Sequence, residues 1–288
     1  MKVSTIVIAA TSVVAAFIAA SGTATSFARE SEASYLASRD PQTVTVVAED
    51  FAFTAPEKIQ AGPTTIQLVN KGSEMHHVQL VRLEQGKTVA DLMGAVKEAG
   101  EKGVPSWITW IGGPNVSEPG QSSTATIALT PGNYVFVCLI PSKDGVPHLM
   151  KGMMRPLTVT PAVGMPAAMP KADVEIELVD YGFDISTPIT AGRHVVKVSV
   201  DAPQPHELLM ARLAPGKTVD DLLAWMEKEE GPPPGTPAGG TSMIGVGGSN
   251  TLTMDFKPGE YALLCFMADN KDGKPHFMHG MMRQITVK

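Results

Sequence analysis

The sequence is short of three things: cysteine, positive charge and long apolar runs. Two cysteines, Cys138 and Cys265, allow at most one disulfide bond. Lysine and arginine number 23 against 29 acidic residues, and the net charge of −6 argues against nucleic acid as a partner. After the first 28 residues no apolar stretch is long enough to cross a membrane, so we expect no span in the mature chain.

The first 28 residues have the pattern of a Sec-type secretory signal peptide. Lys2 precedes an apolar run from Ile6 to Ala20, and small residues follow as far as Ala28, with Ala24 as an alternative cleavage point. The run is shorter than a membrane span, and no cysteine follows it to carry a lipid anchor. We therefore expect a periplasmic or secreted protein. Its mature net charge is −7, because cleavage removes one lysine and no acid.

The remainder of the chain is a tandem duplication. Its two halves match at an offset of 130 positions and, nearer their ends, at an offset of 128. The matched positions include Asp50 with Asp180, Phe53 with Phe183, His76 with His206, Gly86–Val89 with Gly216–Val219, Pro147-His148 with Pro275-His276, and Gly152–Arg155 with Gly280–Arg283. The joint between the halves is rich in Pro, Ala and Met and is typical of a linker.

Composition and patterning predict two small all-β domains. Glycine, proline and β-branched residues are abundant, and few segments hold a helical period. The predicted organisation is a signal peptide at 1–28, an N-terminal extension at 29–42, a first domain at 43–160, a linker at 161–172 and a second domain at 173–288. The predicted strands include 44–46, 64–69, 124–129 and 133–138, with counterparts at 174–178, 194–200, 251–256 and 260–265.

One amphipathic helix interrupts the strands of each copy. Apolar residues recur at i, i+3, i+4 and i+7 from Val89 and again from Val219. Thr88 and Asp91 stand where an N-cap and its reciprocal acid belong, and the same pair recurs 130 positions later. Each domain is therefore expected to be a β-sandwich with one helical insertion.

Four types of metal-binding side chain recur in the same order in both copies. They are His76, Cys138, His148 and Met153 in the first copy and His206, Cys265, His276 and Met281 in the second. A thiolate, two imidazoles and a weak axial thioether select copper, which cycles between Cu(I) and Cu(II). Taken singly, each residue is more often a packing or surface group, but the repeated order favours one mononuclear site per domain. The equivalent positions of the two cysteines also argue against a disulfide between them.

Other histidines and methionines cluster around the same segments. His77 and His279 have no counterpart in the other copy and are interpreted as surface or supporting groups. Spacing favours Met153 and Met281 as axial ligands over the neighbouring Met154 and Met282. The remaining methionines near the sites are interpreted mainly as packing groups.

Three segments of each copy resemble the blue copper cupredoxins, such as plastocyanin and pseudoazurin. The segment 70–76, and Pro205-His206 in the second copy, resemble that family's first-histidine turn. Gly132–Cys138 and Gly259–Cys265 resemble its Gly-x-Tyr-x-x-x-Cys strand, and His148–Met153 and His276–Met281 resemble its closing His-to-Met segment. The resemblance covers essentially the whole mature chain. It implies two Greek-key cupredoxin sandwiches, each with copper bound at one end.

The segment between the cysteine and the second histidine is longer than is usual in that family. It holds nine residues in the first copy and ten in the second. Each insert contains Lys-Asp-Gly, which predicts a small hairpin that returns the chain to the copper.

The sequence thus predicts an exported copper-binding protein that acts in electron transfer or copper handling. Its partner would be a redox protein or a copper donor or acceptor, and the oligomeric state stays open. One alternative is a metal-free binding or structural module of the same fold. The other is a two-domain copper oxidoreductase resembling nitrite reductases or oxidases, but those enzymes place a histidine beside the cysteine, where this chain has Leu139 and Phe266.

Overall fold

The computed structural model describes residues 40–102, 105–164, 167–228 and 230–288. The predicted signal peptide and most of the 29–42 extension lie outside these ranges, so the expectations for them stay predictions. Within the described ranges, no helix combines the length and the apolar character that crossing a membrane requires.

The first half, as far as it is described, contains nine strands and one α-helix. They are β1 (Gln42–Glu49), β2 (Ala52–Thr54), β3 (Lys58–Gln60), β4 (Gly62–Asn70), β5 (Gln79–Leu83), α1 (Val89–Lys102), β6 (Ile108–Gly112), β7 (Ser122–Leu129), β8 (Gly132–Val137) and β9 (Met154–Thr160). A 3₁₀ turn, His148–Lys151, precedes β9.

The second half repeats this order with slightly fewer strands. Its elements are β10 (Val174–Val179), β11 (Gly182–Ile185), β12 (Gly192–Val200), β13 (His206–Leu213), α2 (Val219–Lys228), β14 (Gly235–Ile244), β15 (Ser249–Phe256), β16 (Gly259–Leu264) and β17 (Met282–Val287). A 3₁₀ turn, His276–His279, precedes β17.

Two sheets run through both halves. One has the order β11-β10-β12-β15-β7-β4-β1-β2, and the other has the order β17-β16-β13-β14-β6-β5-β8-β9-β3. In each half the first strand pairs in parallel with a later one, β1 with β4 and β10 with β12, while most other pairs are antiparallel. This is the non-sequential strand order of a Greek key. The expectation of two tandem all-β sandwiches, each with one helical insertion, is confirmed.

The core of each half lies between the two sheets. Along β1, Val44, Val46 and Ala48 are buried, while the residues between them are more exposed, as the alternation predicts. Their partners from the opposite sheet include Leu80 and Phe136, which are completely buried. This cluster also contains Cys138, so the packed core extends to the residues of the predicted metal site.

The central strands of the second sheet are buried on both faces. Leu80 on β5 belongs to the intersheet core, whereas its neighbour Val81 packs in a second cluster with Leu92 of α1. The helix therefore covers the outer face of this sheet. Asp91 fixes its first turn: the backbone N–H of Thr88 donates to Asp91 Oδ2 at 2.8 Å, and the N–H of Asp91 donates to Thr88 Oγ1 at 3.2 Å. The predicted capping pair is confirmed.

The two halves contact each other through a pair of equivalent segments, the one that follows β6 and the middle of β14. The N–H of Asn115 donates to Gly240 O at 3.2 Å, and the N–H of Ser242 donates to Gly113 O at 2.9 Å. Since residues 113 and 115 of the first half correspond to 240 and 242 of the second, the contact has approximate two-fold symmetry. Gly113 and Gly240 have φ values of 140° and 129°. A Cβ at Gly113 would overlap the carbonyl oxygen of Val78, just before β5, and a Cβ at Gly240 would overlap that of Leu208 in β13. Glycine at both positions is what lets each segment lie this close to the neighbouring backbone of its own half.

The inserts after the cysteines fold into short hairpins. In the first, the N–H of Ser142 donates to Val146 O at 2.9 Å, and Gly145 takes a φ of 77° in the turn. The N–H of His148 then donates to Ile140 O at 2.9 Å. In the second half, the N–H of Asp269 donates to Lys274 O at 2.8 Å. The hairpins expected from Lys-Asp-Gly are thus present, and each returns the second histidine to its cysteine.

Candidate metal centres

In the first half, the predicted cysteine and histidines converge on one buried point. Cys138 directly follows β8, His76 lies between β4 and β5, and His148 begins the 3₁₀ turn. The Cys138 sulfur lies 3.4 Å from Nδ1 of His148 and 4.0 Å from Nδ1 of His76. The two Nδ1 atoms are 3.1 Å apart. All three residues have a relative exposure of 0%.

The second half repeats this arrangement almost without change. The Cys265 sulfur lies 3.4 Å from Nδ1 of His276 and 3.9 Å from Nδ1 of His206. All three residues again have no exposed surface. In both halves the sulfur and the two ring nitrogens lie within 4.8 Å of one another. The two cysteines are free rather than joined, as their equivalent positions predict.

Backbone hydrogen bonds hold the cysteine and the second histidine together. The N–H of Leu149 donates to Cys138 O at 2.7 Å, and the N–H of Cys138 donates to Met153 O at 3.3 Å. Gly152, with a φ of 104°, ends the 3₁₀ turn, so that the N–H of Met153 donates to His148 O at 3.0 Å. The same bonds recur in the second half, where Gly280 has a φ of 100°. Both sites are therefore built by a tight backbone frame rather than by flexible side chains.

The two methionines of each pair point into different parts of the fold. Met153 and Met281 are completely buried and pack in the same intersheet clusters as the two cysteines. Met154 and Met282 pack instead in the clusters beneath the helices. Met153 and Met281 thus share the side of the cysteines, and their role as axial ligands stays a prediction.

Burial sets the protonation of the converging groups. It lowers the pKa of His76 and of His206, and it lowers the pKa of His276 to about 4. It also raises the pKa of the Cys138 thiol to about 11 and that of Cys265 to about 12. The imidazoles of His76, His206 and His276 are accordingly neutral at pH 7, with a lone pair available on one ring nitrogen.

These residues fit copper. Three donor atoms, one sulfur and two imidazole nitrogens, already converge without a charged group between them. A thiolate with imidazoles is the donor set that suits copper, and binding would displace the thiol proton. His76, Cys138 and His148 would hold one ion, and His206, Cys265 and His276 would hold the other.

Carboxylates stand behind the histidines of the first site. Nε2 of His76 lies 3.0 Å from Asp50 Oδ1, and Nε2 of His148 lies 3.0 Å from Glu74 Oε2. The Ser73 hydroxyl and backbone N–H donate to Asp50 and hold its pKa well below the usual range. A hydrogen bond from His148 likewise lowers the pKa of Glu74. Ionised carboxylates in these positions fix the ring orientations and make the imidazoles better donors.

The second site obtains its carboxylates partly from elsewhere in the chain. Nε2 of His206 lies 2.7 Å from Asp180 Oδ1, which repeats the pair of His76 and Asp50. At the position equivalent to Glu74 there is Gln204, and its amide donates to Asp269 Oδ2 at 2.9 Å. Asp269 comes from the insert and lies 3.8 Å from Nε2 of His276. In the sequence Asp50 aligns with Asp180, but nothing marks either residue as a partner of a histidine. Glu74 and Asp269 are not equivalent positions, so the duplication does not mark them.

A further pair of residues supports the chain just beyond each cysteine. Nε2 of His77 accepts from the N–H of Leu139 at 2.9 Å, and Oε1 of Glu207 accepts from the N–H of Phe266 at 3.0 Å. His77 is buried and is thus a supporting group rather than a surface one. Glu207 occupies the equivalent position, so the repeated histidines do not mark this correspondence. Burial raises the pKa of Glu207 to about 7.

The buried thiols predict that the metal-free protein loses stability in alkaline solution. The folded-state pKa values, about 11 for Cys138 and about 12 for Cys265, lie above the ordinary thiol value of 9.0. The stabilisation is therefore complete below pH 9 and is lost as the pH rises toward the folded values. We expect the unfolding free energy to fall by up to about 1.4 kcal/mol per pH unit for each thiol in that window. Denaturant titrations from pH 8 to 11 measure this fall. If the unfolding free energy falls as steeply with pH in the double variant Cys138→Ser, Cys265→Ser, the prediction is contradicted.

Comparisons with known proteins give weak similarities in structure only. No family model and no curated protein matches the chain. Among solved structures it is similar to reduced auracyanin from Roseiflexus castenholzii, at 21% identity over 43% of this chain and 100% of that one, with a TM-score of 0.29. It is also similar to auracyanin A, a "blue" copper protein from Chloroflexus aurantiacus, at 20% identity over 42% of this chain and 100% of that one, with a TM-score of 0.29. A blue copper oxidase from Nitrosomonas europaea is 17% identical over 86% of each chain, with a TM-score of 0.26.

The fold and the clusters together define the class. Each half is a two-sheet Greek-key sandwich in which a cysteine at the end of one strand meets two histidines, one of them in the turn that follows. That combination is a cupredoxin-like domain. The chain is a tandem pair of such domains, joined edge to edge by sheets that continue from one into the other.

Proposed function

We propose that this is an exported copper-binding protein that carries electrons, or hands on copper, through one mononuclear type-1-like site in each half. The observation that carries the proposal is the doubled cluster of one buried cysteine and two buried histidines, with matching distances in both halves. Bound copper would supply a one-electron couple between Cu(II) and Cu(I). Export is inferred from the signal-like residues 1–28.

Electron transfer is the use that the protein frame favours. The cysteine and the second histidine are tied by backbone hydrogen bonds, and the imidazoles are held from behind by carboxylates. A frame of this kind resists rearrangement, so a site held by it changes little when the charge of the ion changes. Burial also keeps water from the sulfur. These properties suit a carrier of electrons more than an enzyme that makes and breaks bonds.

A redox partner, or a copper donor or acceptor, would approach beside the second histidine of each site. Met150 and Met278 follow these histidines in the two 3₁₀ turns and are 38% and 62% exposed. Met75, next to His76, is 46% exposed. Flexible apolar methionines make adaptable contact surfaces, so we propose this rim as the docking region for the partner.

Titration with Cu(II) tests the proposal directly. We expect an intense visible band, from charge transfer between thiolate and copper, that grows until about two equivalents are bound. Electron paramagnetic resonance (EPR) should show two similar mononuclear signals, since the two clusters have the same geometry. The absence of both the band and stoichiometric copper would reject the proposal and leave the metal-free binding module as the function of this fold.

A further inference from the structure

A third cluster of metal-binding side chains lies beside the second copper site. It consists of Asp269 and Asp272 from the insert and His279 from the end of the 3₁₀ turn, and their ligand atoms lie within 4.8 Å of one another. Nε2 of His279 is 3.1 Å from Asp272 Oδ1. Asp272 and His279 are partly exposed, whereas Asp269 is buried, so the cluster opens to solvent on one side and reaches into the protein on the other.

The buried side of the cluster ends at an unsatisfied nitrogen. Nε2 of His276 is completely buried, has no hydrogen-bond partner among the described residues, and lies 3.8 Å from Asp269 Oδ2. The other nitrogen of the same ring, Nδ1, is 3.4 Å from the Cys265 sulfur. One imidazole therefore connects the third cluster to the copper site. A buried nitrogen without a partner costs folding free energy unless a ligand completes its bonding. It therefore indicates a bound ligand at this place, independently of the two carboxylates.

Neighbouring residues hold the cluster in place. Tyr181 donates its hydroxyl to Asp269 Oδ2 at 2.5 Å and stacks on the ring of His279, with centroids 4.9 Å apart. Gln204 donates to the same carboxylate oxygen at 2.9 Å. The backbone N–H of Lys274 donates to Asp272 Oδ1 at 3.0 Å and orients this carboxylate toward His279, while the exposed Lys274 ammonium lies 3.8 Å from Oδ2. The carboxylate and the imidazole are thus positioned by supporting contacts, as metal ligands commonly are.

The first half shows what the same place looks like without such a cluster. Lys151 stands at the position equivalent to His279, and its ammonium group binds Asp144, the counterpart of Asp272, at 2.7 Å. Ser142 stands at the position equivalent to Asp269, because its N–H closes the first hairpin as the N–H of Asp269 closes the second. Lys151 therefore neutralises Asp144 in the first half, and its Nζ lies 4.6 Å from the centroid of the Phe51 ring. The feature is therefore particular to the second half and is not a consequence of the insert itself.

We propose that Asp269, Asp272 and His279 form an outer site for a divalent metal ion, Cu(II) in this protein, directly above the second copper site. The choice of Cu(II) rests on the proposed function; the existence of the site does not. Two carboxylates and one imidazole are oxygen and nitrogen donors, which suit Cu(II) or Zn(II) and not Cu(I). Such a site would collect the ion from solution at a place where a single imidazole separates it from the buried thiolate.

The test compares wild-type protein with His279→Lys, which installs the arrangement of the first half. In equilibrium dialysis with Cu(II), we expect wild type to bind one equivalent more than His279→Lys. The extra ion should give an EPR signal of oxygen and nitrogen ligation and no thiolate-to-copper band. Because the His276 ring lies between this ion and the second copper site, the ion should also broaden the EPR signal of that site. Zn(II) in the outer site should remove the broadening, and Lys151→Gln, the matched control, should bind as wild type does.

The outcomes separate this proposal from the proposed function. Two visible bands with no difference between wild type and His279→Lys overturn the outer site and leave the copper carrier intact. An ion sensitive to His279→Lys in protein that forms no thiolate band supports the outer site while rejecting the carrier. Circular dichroism and the thermal midpoint of His279→Lys establish that the variant is folded, since position 279 is on the surface turn.

Discussion

Serine in place of both Cys138 and Cys265 is expected to abolish the visible band of the copper-loaded protein, and each single replacement is expected to remove about half of it. The thiolate is the only charged, soft donor in either cluster, and the band arises from its transition to copper. Serine keeps the size of the side chain, but its hydroxyl does not ionise at neutral pH. Absorption spectra recorded during Cu(II) titration measure the effect, and metal analysis after dialysis measures the accompanying loss of tightly bound copper.

The single variants carry most of the information in this experiment. Because the sulfur-to-histidine distances agree to 0.1 Å between the halves, Cys138→Ser and Cys265→Ser should leave spectra of closely similar shape. The control is His194→Gln, since His194 pairs with Asp173 outside both clusters and should leave the band unchanged. A full band in the double variant would show that the thiolates are not ligands. If a variant lost both the band and the circular dichroism spectrum of the folded protein, the loss of the band would not report on ligation. The fold of each variant is therefore measured first.

The duplication is the reason that so much of the fold could be predicted from one sequence. Segments that align in both copies, such as the strand from Thr64 and the helix from Val89, share a pattern that chance does not repeat, and the structure confirms both. The strands β5 and β13 were harder to recognise. Their residues are buried by the opposite sheet on one side and by the helix on the other, so no polar and apolar alternation marks them. Short strands such as β2 and β3 are set by pairing with distant partners, which no local pattern records.

In the candidate sites, too, some residues could be predicted from the duplication and others could not. The cysteines and histidines that meet were found because their order recurs, and the hairpins that bring His148 and His276 back were foreseen from Lys-Asp-Gly. The supporting groups were not, because the halves reach the same end with different residues. His77 and Glu207 both accept a hydrogen bond from the residue after the cysteine, and they share no chemical class. Likewise a carboxylate faces the second histidine from Glu74 in one half and from Asp269 in the other. What is kept between the halves is a contact, and a residue-by-residue comparison does not detect it.

The second large effect is expected from the carboxylates that face the first histidines. The Asp50 carboxylate lies 3.0 Å from Nε2 of His76, and the Asp180 carboxylate lies 2.7 Å from Nε2 of His206. Asp50→Asn and Asp180→Asn keep the shape of the side chain but remove its charge. A neutral amide leaves the imidazole a weaker donor and its ring less firmly oriented. Changes of this kind in groups that support a metal ligand typically cost about 10–100-fold in metal affinity. We expect a loss of that size for Cu(II), confined to the half that carries the substitution.

The effect on the reduction potential follows from the same charge. A carboxylate stabilises the doubly charged Cu(II) form more than the singly charged Cu(I) form, so its removal should raise the potential. For a one-electron couple, each tenfold change in relative affinity corresponds to about 59 mV. Chelator competition measures the affinity, redox titration of the visible band measures the potential, and Asp173→Asn, which removes an equally close carboxylate from His194 outside the sites, is the matched control. A rise in both Asp50→Asn and Asp180→Asn with none in Asp173→Asn would place the electrostatic control of copper in these two side chains. Unchanged affinity and potential in all three would mean that the carboxylates serve only to anchor the loops on which the histidines lie.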